Sequence, residues 1–307
     1  MRIVLFGQAA FGEKVLERLI GRKEHVVAVY TPPDETGAET PIKGLAREAG
    51  VPVFQPKGMK GPGVFEQYKG LKPDLNVLAF VTEIIPGAIL DYPRLGSIQY
   101  HPSLLPRHRG RSAINWAVIQ GETKTGLTIF WVDEGVDTGP ILLQKEVEID
   151  PDDTTGSLYF NKLFPMGVDA IMEAVDLVRE RRALRIPQDE FQATYEPPCG
   201  EAHARIRWSK PLAELYNLVR GCDPQPGAFA LHEGRKLQFF ATKAFPNALS
   251  DAKSRPGEVV EVNEMGILIA ATGGALLVRK VRPEGEGKMD ALELARKLGI
   301  EKGSCFD

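Results

Sequence analysis

RIVLFGQAAFGEKVLERLIG, residues 2–21, is the stretch of sequence that decides the fold. RIVLF is typical of a buried strand, and Gly7 to Gly12 predict a turn. The apolar residues that follow recur at helical spacing as far as Gly21. Another apolar strand, HVVAVY, comes soon after. A strand, a helix and a second strand in this order predict a βαβ unit with parallel strands.

The same alternation continues to about residue 100. A short helix is expected from Pro41 to Gly50, and further strands are expected in VPVF, DLNVLAF and GSIQY. The near-continuous apolar run of DLNVLAF indicates a strand that is buried on both faces. We therefore predict an α/β fold, with a Rossmann-like, mostly parallel sheet and flanking helices.

The second half of the sequence predicts a different architecture. A helix around SAINWAVIQG and an antiparallel pair, TGLTIFWV with PILLQKEVEI, precede a long amphipathic helix from about Thr155 to Arg181. A proline-containing segment follows, and then short alternating runs that predict a small C-terminal β-barrel of OB-like type. The predicted domains are a catalytic α/β domain over 1–181, a linker over 182–205 and the barrel over 206–307.

Bulk composition limits the class of protein. With 307 residues, 43% of them hydrophobic and 26% charged, the chain is typical of a globular protein of two domains. No apolar run is long enough for a membrane helix. Three cysteines without metal or disulfide spacing fit a cytoplasmic protein that binds no metal. A net charge of −3 argues against a nucleic-acid binder.

Several conspicuous segments follow the predicted parallel strands, where ligands of open α/β sheets bind. They are Gly7-Gln8, residues 80–85 and QYHPSLLPRHRG, residues 99–110. The first segment lacks the third glycine and the acid of a dinucleotide site, and it lacks the lysine of a P-loop. A tight turn into a helix is the better interpretation of that segment.

WVDEGVDTGP, residues 131–140, is the second segment with chemical potential. Asp-Thr-Gly also occurs in aspartic proteases, but those enzymes need two such motifs in an all-β fold, and an acidic turn is the plainer interpretation. Together with QYHPSLLPRHRG, however, this segment supplies a histidine and an aspartate from two loops at one end of a sheet. Such a pair is a general acid/base couple, suited to transfer or hydrolysis of an acyl group without a metal or a nucleophilic serine.

These two motifs carry a family resemblance. HPSLLP from His101, together with Asp133-x-Gly135-x-Asp137-Thr138-Gly139, resembles the 10-formyltetrahydrofolate-using formyltransferase family. That family includes methionyl-tRNA, glycinamide ribonucleotide and sugar-nucleotide formyltransferases, and the hydrolase domain of 10-formyltetrahydrofolate dehydrogenase. RIRWSKPLAELYNLVRG, PGAF and RPGEVVEV resemble the small barrel of the tRNA and dehydrogenase members.

The resemblance assigns roles to individual residues. It implies that His101 is the catalytic histidine and Asp137 its partner, whereas His108 is a loop residue without a catalytic counterpart. It implies a folate pocket in which apolar side chains and a loop backbone hold the pterin ring. The folate-binding residues it implies are Phe80, Val81, Ile84, Ile85, Asp133, Glu134, Gly135 and Val136. For Ile84 and Ile85 a role in the hydrophobic core is an equally good interpretation.

One residue departs from the transferase pattern. The transferases carry Asn-x-His, in which the asparagine amide helps to hold the formyl oxygen, whereas this chain has Gln99-Tyr100-His101. The hydrolase domain of the dehydrogenase also lacks the asparagine and shares the Tyr-His-Pro-Ser-Leu-Leu-Pro run. The resemblance is therefore strongest to that hydrolase domain, and Gln99 joins His101 and Asp137 as a candidate catalytic residue.

Three functions remain open on the sequence. The first is hydrolysis of 10-formyltetrahydrofolate to tetrahydrofolate and formate. The second is transfer of the formyl group to an amine, in a sugar nucleotide or in initiator methionyl-tRNA. The third is a folate-binding module without activity. The short acidic loop TPPDETGAETPIKG, residues 31–44, disfavours a tRNA acceptor without excluding it, whereas LARKLGIEKGS resembles sugar-nucleotide formyltransferases. Hydrolysis is the preferred prediction, and no oligomeric state is predicted.

Overall fold

The computed structural model describes residues 1–34, 39–248 and 254–307. These residues form two compact units. The first unit comprises Met1–Gly110, Gly126–Val147 and Phe160–Tyr195. The second unit comprises Arg111–Thr125, Glu148–Tyr159 and Glu196–Asp307.

Strands and helices alternate in the first hundred residues, and strands dominate after residue 229. The strands are β1 (Arg2–Gly7), β2 (His25–Tyr30), β3 (Val53–Phe54), β4 (Leu75–Ala79), β5 (Ser97–His101), β6 (Lys124–Trp131), β7 (Ile141–Glu148), β8 (Phe229–His232), β9 (Arg235–Pro246), β10 (Val259–Asn263), β11 (Gly266–Ala271), β12 (Gly274–Pro283) and β13 (Met289–Asp290). The α-helices are α1 (Ala9–Gly21), α2 (Pro41–Glu48), α3 (Val64–Gly70), α4 (Gly87–Leu90), α5 (Ala113–Ile119), α6 (Thr155–Leu158), α7 (Phe164–Arg179), α8 (Glu201–Ala204), α9 (Leu212–Gly221) and α10 (Ala291–Leu298).

The first sheet has seven strands among the described residues, in the order β3-β2-β1-β4-β5-β6-β7. β1 is parallel to β2 and to β4, and β5 is parallel to β4 but antiparallel to β6. The strand order reverses between β1 and β4, which is the topological switch point of an open α/β sheet. The predicted Rossmann-like α/β class is confirmed.

This sheet is buried on both faces, as β1 illustrates. Successive side chains of a strand point to opposite faces. Ile3 and Leu5 belong to one hydrophobic cluster with α1 and α7, whereas Val4 and Phe6 belong to a second cluster with α3 and α4. Continuous apolar runs such as RIVLF are therefore required in the central strands.

The turn from β1 into α1 is as tight as the sequence predicts. β1 ends at Gly7, and α1 begins at Ala9. A Cβ on Gly12 would lie 2.8 Å from the carbonyl carbon of Gly7, so a side chain there would push the helix away from the strand. The two glycines serve close helix–strand packing.

The helix predicted from Thr155 to Arg181 is interrupted. α6 ends at Leu158, residues Tyr159–Leu163 form a π-helical turn, and α7 begins at Phe164. Pro165 lies in the first turn of α7, and proline has no backbone N–H to donate to the preceding turn. The missing donor thus disfavours regular α-helical hydrogen bonding at this point.

The second unit contains a separate antiparallel sheet. Its described strands follow the order β10-β11-β12-β9-β8, and β13 pairs with β12. The hydrophobic core on this sheet includes Trp208, Leu212, Phe239 and Phe306. The predicted C-terminal β domain is confirmed as this sheet. Among the described residues, no helix has both the length and the apolar character needed to cross a membrane.

Candidate active site

His101 is the last residue of β5 and is buried. Its Nε2 lies 2.8 Å from the carbonyl oxygen of His108, and its Nδ1 lies 3.5 Å from Oδ2 of Asp137. Both ring nitrogens therefore face oxygen atoms that can only accept hydrogen bonds. Because the His108 carbonyl can only accept, the proton of that bond is on Nε2, and Nδ1 is left to face the carboxylate of Asp137.

Asp137 is also buried, and its carboxylate is oriented by the loop that follows β5. The backbone N–H of Gly110 donates to Oδ2 of Asp137 at 2.8 Å. The φ of Asp137 is +57°, in the left-handed region that residues other than glycine seldom adopt. Phe80 and His108, which also follow strands of the sheet, have φ values of +60° and +54°. Such conformations cluster at functional sites.

The two loops do not leave the sheet at the same end, so that part of the prediction is wrong. β6 is antiparallel to β5, with His101 opposite Thr128 and Ile98 opposite Trp131. The loop after Trp131 therefore starts three residues, or about 10 Å, from the His101 end of the strand pair. The segment 132–140 turns back along the strands to bring Asp137 to His101.

Two glycines and one aspartate shape this returning loop. A Cβ on Gly135 would lie 2.0 Å from Oγ1 of Thr138, and a Cβ on Gly139 would lie 1.7 Å from the carbonyl oxygen of Trp131. The carboxylate of Asp133 accepts hydrogen bonds from the Gly135 N–H at 3.1 Å and from the Thr138 hydroxyl at 2.6 Å. The segment WVDEGVDTGP, residues 131–140, therefore forms a compact turn that positions Asp137.

The predicted folate-binding residues differ in exposure. Phe80, Ile84 and Val136 are 45%, 78% and 62% exposed, which is unusual for large apolar side chains. Val81 is half-buried, and Ile85 is buried within the hydrophobic cluster around α3 and α4. Ile84 is too exposed for a role in the hydrophobic core, whereas Ile85 belongs to the core and also lines a cavity with Phe80 and Val81. Asp133, Glu134 and Gly135 are exposed in the returning loop.

Gln99 lies on the same face of β5 as His101, because residues two apart in a strand share a face. Its neighbours across the sheet are Leu78 of β4 and Phe130 of β6, and its side chain is half-buried. The fold thus places an amide beside the histidine.

Four further residues next to the site escaped the sequence analysis. Arg109 is fully buried, and its guanidinium bonds to Gln188, Glu190 and Tyr195. The segment that carries those three partners lies within the predicted linker. An arginine in the loop that follows the buried strand β5 was the available signal, because a buried guanidinium requires a carboxylate partner. The hydrogen bonds that Arg109 donates to Glu190 raise the pKa of Arg109 and lower the pKa of Glu190.

No group of three or more histidine, cysteine, aspartate or glutamate side chains within residues 1–34, 39–248 and 254–307 is arranged to hold a metal ion. The chemistry that this site offers is that of a buried imidazole, a carboxylate and an amide. These groups can exchange protons and stabilise an oxyanion.

Comparison with known families decides the identity of the chain. Residues 1–175 match the formyl transferase family, and residues 200–299 match the formyl transferase C-terminal domain. The chain belongs to the formyl transferase family. The resemblance drawn from HPSLLP and the Asp133–Gly139 motif is confirmed, and with it the prediction of an enzyme.

Two curated members of the family show how far the likeness extends. The chain is 43% identical over 302 residues to the cytosolic 10-formyltetrahydrofolate dehydrogenase of Homo sapiens, with 94% of this chain and 33% of that protein covered. It is 37% identical over 310 residues to the methionyl-tRNA formyltransferase of Geotalea daltonii, with 99% of this chain and 97% of that protein covered. The chain thus spans about a third of the length of the dehydrogenase and nearly all of the transferase.

Solved structures of the formyl transferase fold agree with the architecture. HypX from Aquifex aeolicus in complex with tetrahydrofolic acid has a TM-score of 0.70 at 21% identity, over 96% of this chain and 46% of that one. An N-formyltransferase from Helicobacter canadensis, in complex with folinic acid and dTDP-3-aminofucose, has a TM-score of 0.70 at 17% identity, over 94% and 99% of the two chains. At these identities the likeness shows the fold alone.

Proposed function

We propose that the chain hydrolyses 10-formyltetrahydrofolate to tetrahydrofolate and formate. The observation that carries the proposal is the buried His101, whose Nε2 is held by the His108 carbonyl while its Nδ1 faces Asp137. The identity of 43% to a 10-formyltetrahydrofolate dehydrogenase supports this donor. Gln99, where transferases carry asparagine, favours water over an amine as the acceptor.

The site supplies the proton transfers that hydrolysis requires. Water attacks the formyl carbon as its proton passes to Asp137, and the carbonyl electron pair moves onto the oxygen. His101 stabilises this oxyanion with a proton on Nδ1, the nitrogen that the His108 carbonyl leaves available. The bond from carbon to N10 then breaks as the proton held by Asp137 passes to N10, and the formic acid released ionises to formate and a proton in water. The 3.5 Å between Nδ1 and Asp137 Oδ2 is longer than a hydrogen bond, as is common before substrate binds.

The pterin ring binds against Phe80, Val81 and Ile84, with the backbone of residues 133–136 on its polar edge. The exposure of Phe80 and Ile84 supports this assignment, because burying them against an aromatic ring removes apolar surface from water. Ile85 supports the pocket from the hydrophobic core.

Formyl transfer to an amine is the second candidate function. It is favoured by the 37% identity over nearly the full length of a methionyl-tRNA formyltransferase. The acidic loop over residues 31–44 argues against tRNA, although residues 35–38 of this loop lie outside the described residues.

An acceptor assay separates the two functions. Purified protein is incubated with 10-formyltetrahydrofolate alone, with an amino sugar nucleotide or with methionyl-tRNA, and tetrahydrofolate is followed in each case. The proposal predicts equal rates in all three reactions, and rates lower by at least about a hundred-fold with a His101→Asn variant. Tetrahydrofolate that forms only after an amine is added would establish transfer instead.

A further inference from the structure

The segment 188–195 carries a polar network that reaches the returning loop of Asp137. Nε and Nη2 of Arg109 donate to Oε1 of Gln188 at 3.1 and 2.7 Å. Nη1 and Nη2 donate to the two carboxylate oxygens of Glu190 at 2.9 and 2.7 Å, and Nη1 also donates to the Tyr195 hydroxyl at 2.6 Å. The buried guanidinium is thus held in one orientation by three side chains.

Gln188 connects the oriented guanidinium to the returning loop that carries Asp137. Its Nε2 donates to the carbonyl oxygens of Asp137 at 2.9 Å and Gly139 at 2.8 Å. Because Arg109 can only donate, it fixes the amide of Gln188 with its oxygen toward the guanidinium. The NH₂ group must then face the two carbonyls of the returning loop.

The same segment also holds the loop of His108. The backbone N–H of His108 donates to the Thr194 hydroxyl at 2.8 Å, and the N–H of Arg109 donates to the Thr194 carbonyl at 3.0 Å. The His108 carbonyl in turn holds Nε2 of His101. One segment therefore contacts the supports of both members of the acid/base pair.

We propose that Arg109 and Gln188 are positioning residues that set the distance and direction of the Asp137 carboxylate toward His101. This positioning role rests on the proposed function, because the reaction of the His101–Asp137 pair is the one proposed above. The loop of Asp137 needs such positioning, because Asp137 has a left-handed backbone conformation and the loop doubles back along β5. Without a restraint on its carbonyls, this loop can relax and move the carboxylate.

Two substitutions test the donor bonds to the loop. Gln188→Leu removes both polar ends of the side chain, and Gln188→Glu keeps an acceptor for Arg109 but cannot donate to the two carbonyls. For each variant we expect kcat to fall on the order of a hundred-fold, the loss typical of a misplacement of about 1 Å, with the KM for 10-formyltetrahydrofolate little changed. The matched control is Gln192→Leu, an exposed glutamine of the same segment that bonds only to Asp189 among the contacts described, which should keep wild-type kcat.

A spectroscopic measurement separates positioning from general stability and from turnover. The ¹⁵N signals of the His101 ring, assigned with His101→Asn, are compared at one pH in the folded proteins. They should shift in both Gln188 variants and stay unchanged in Gln192→Leu. If wild type turns over and either Gln188 variant matches it in kcat and in these signals, the positioning role is overturned. If wild type releases no formate but the signals still shift, the proposed function fails and the positioning role stands.

Discussion

The two histidines of QYHPSLLPRHRG serve the site through different atoms. His101 presents its ring, whereas His108 presents its main-chain carbonyl to Nε2 of His101. Asparagine at position 108 keeps that carbonyl and tolerates its left-handed φ of +54°. Because one histidine acts through its ring and the other through its main-chain carbonyl, the motif contains two histidines but only one candidate catalytic residue.

We therefore expect His101→Asn to lower kcat by about 10²–10⁴-fold, the usual contribution of a general acid/base group. The kcat of His108→Asn should stay within about tenfold of the wild-type value, because a ring without an acid/base role makes no such contribution to the rate. Steady-state kinetics on 10-formyltetrahydrofolate compare the two. Equal inactivation of both variants would show that the His108 ring takes part in the reaction.

Gln99 shares a strand face with His101, but its amide sits on a longer arm than the asparagine of transferases. If the amide donated to the oxyanion, its removal would lower the rate by on the order of a hundred- to a thousand-fold. The hydrolase relatives lack the asparagine, so we expect the smaller effect. In Gln99→Leu, kcat at saturating donor should fall by less than about a hundred-fold, and a larger fall with donor affinity intact would make Gln99 an oxyanion donor.

Sequence patterns reveal some residues of the site and not others. His101 and Asp137 stand in short motifs whose residue types carry the chemistry. Gln188 and Glu190 lie in a proline-containing segment without periodicity, and their partner Arg109 is about eighty residues away in the chain. Only the folded structure brings such residues together.

At the scale of elements, the loop between β6 and β7 depends on glycine. A Cβ on Gly139 would overlap the Trp131 carbonyl oxygen at 1.7 Å, so Gly139→Ala must displace backbone at the base of the loop. We expect this variant to lose both free energy of unfolding and most of its kcat. Gly44→Ala in α2 is the control, because its Cβ meets nothing within 4 Å and alanine favours a helix by up to about 1 kcal/mol. Urea unfolding and kinetics on both variants check the prediction, which wild-type behaviour of Gly139→Ala would refute.

The contact between Arg109 and the segment 188–195 should depend on pH. Arg109 lowers the pKa of Glu190, so the carboxylate stabilises the fold fully above the pKa of this glutamate in the unfolded chain, about 4.5. That stabilisation is lost as pH falls through the lower pKa of the folded state. The difference in free energy of unfolding between wild type and Glu190→Gln should thus be largest near pH 7 and shrink below about pH 4. Urea unfolding at several pH values measures it, and a constant difference would contradict the ion pair.

At the scale of elements, the direction of β6 is a feature that the sequence patterns did not predict. Apolar runs predicted the strands of the first sheet, since a strand buried on both faces must be apolar throughout. They contain no information on which neighbour β6 would pair with, so the reversal of the 132–140 loop could not be foreseen. The π-helical turn before Pro165 was missed for a similar reason, because periodicity alone does not register one missing N–H donor.

At the scale of the whole molecule, the two-part architecture was predictable because the period of the apolar residues changes along the chain. Helical spacing between strands marks the first unit, and short alternating runs mark the second. Family membership then extends over both parts, from residue 1 to 175 and from 200 to 299. The formyl acceptor could not be predicted in this way, because hydrolysis and transfer, as proposed, would use the same donor and the same His101–Asp137 pair.

The most direct test of the proposed hydrolysis follows the oxygen atom of water into the formate product. Purified protein is incubated with 10-formyltetrahydrofolate in H₂¹⁸O without any amine, and the formate is analysed by mass spectrometry. Hydrolysis forms a bond between the formyl carbon and a water oxygen, so we expect one ¹⁸O in each formate and an equal amount of tetrahydrofolate. Absence of labelled formate, with the formyl group recovered on an amine once one is supplied, would contradict it.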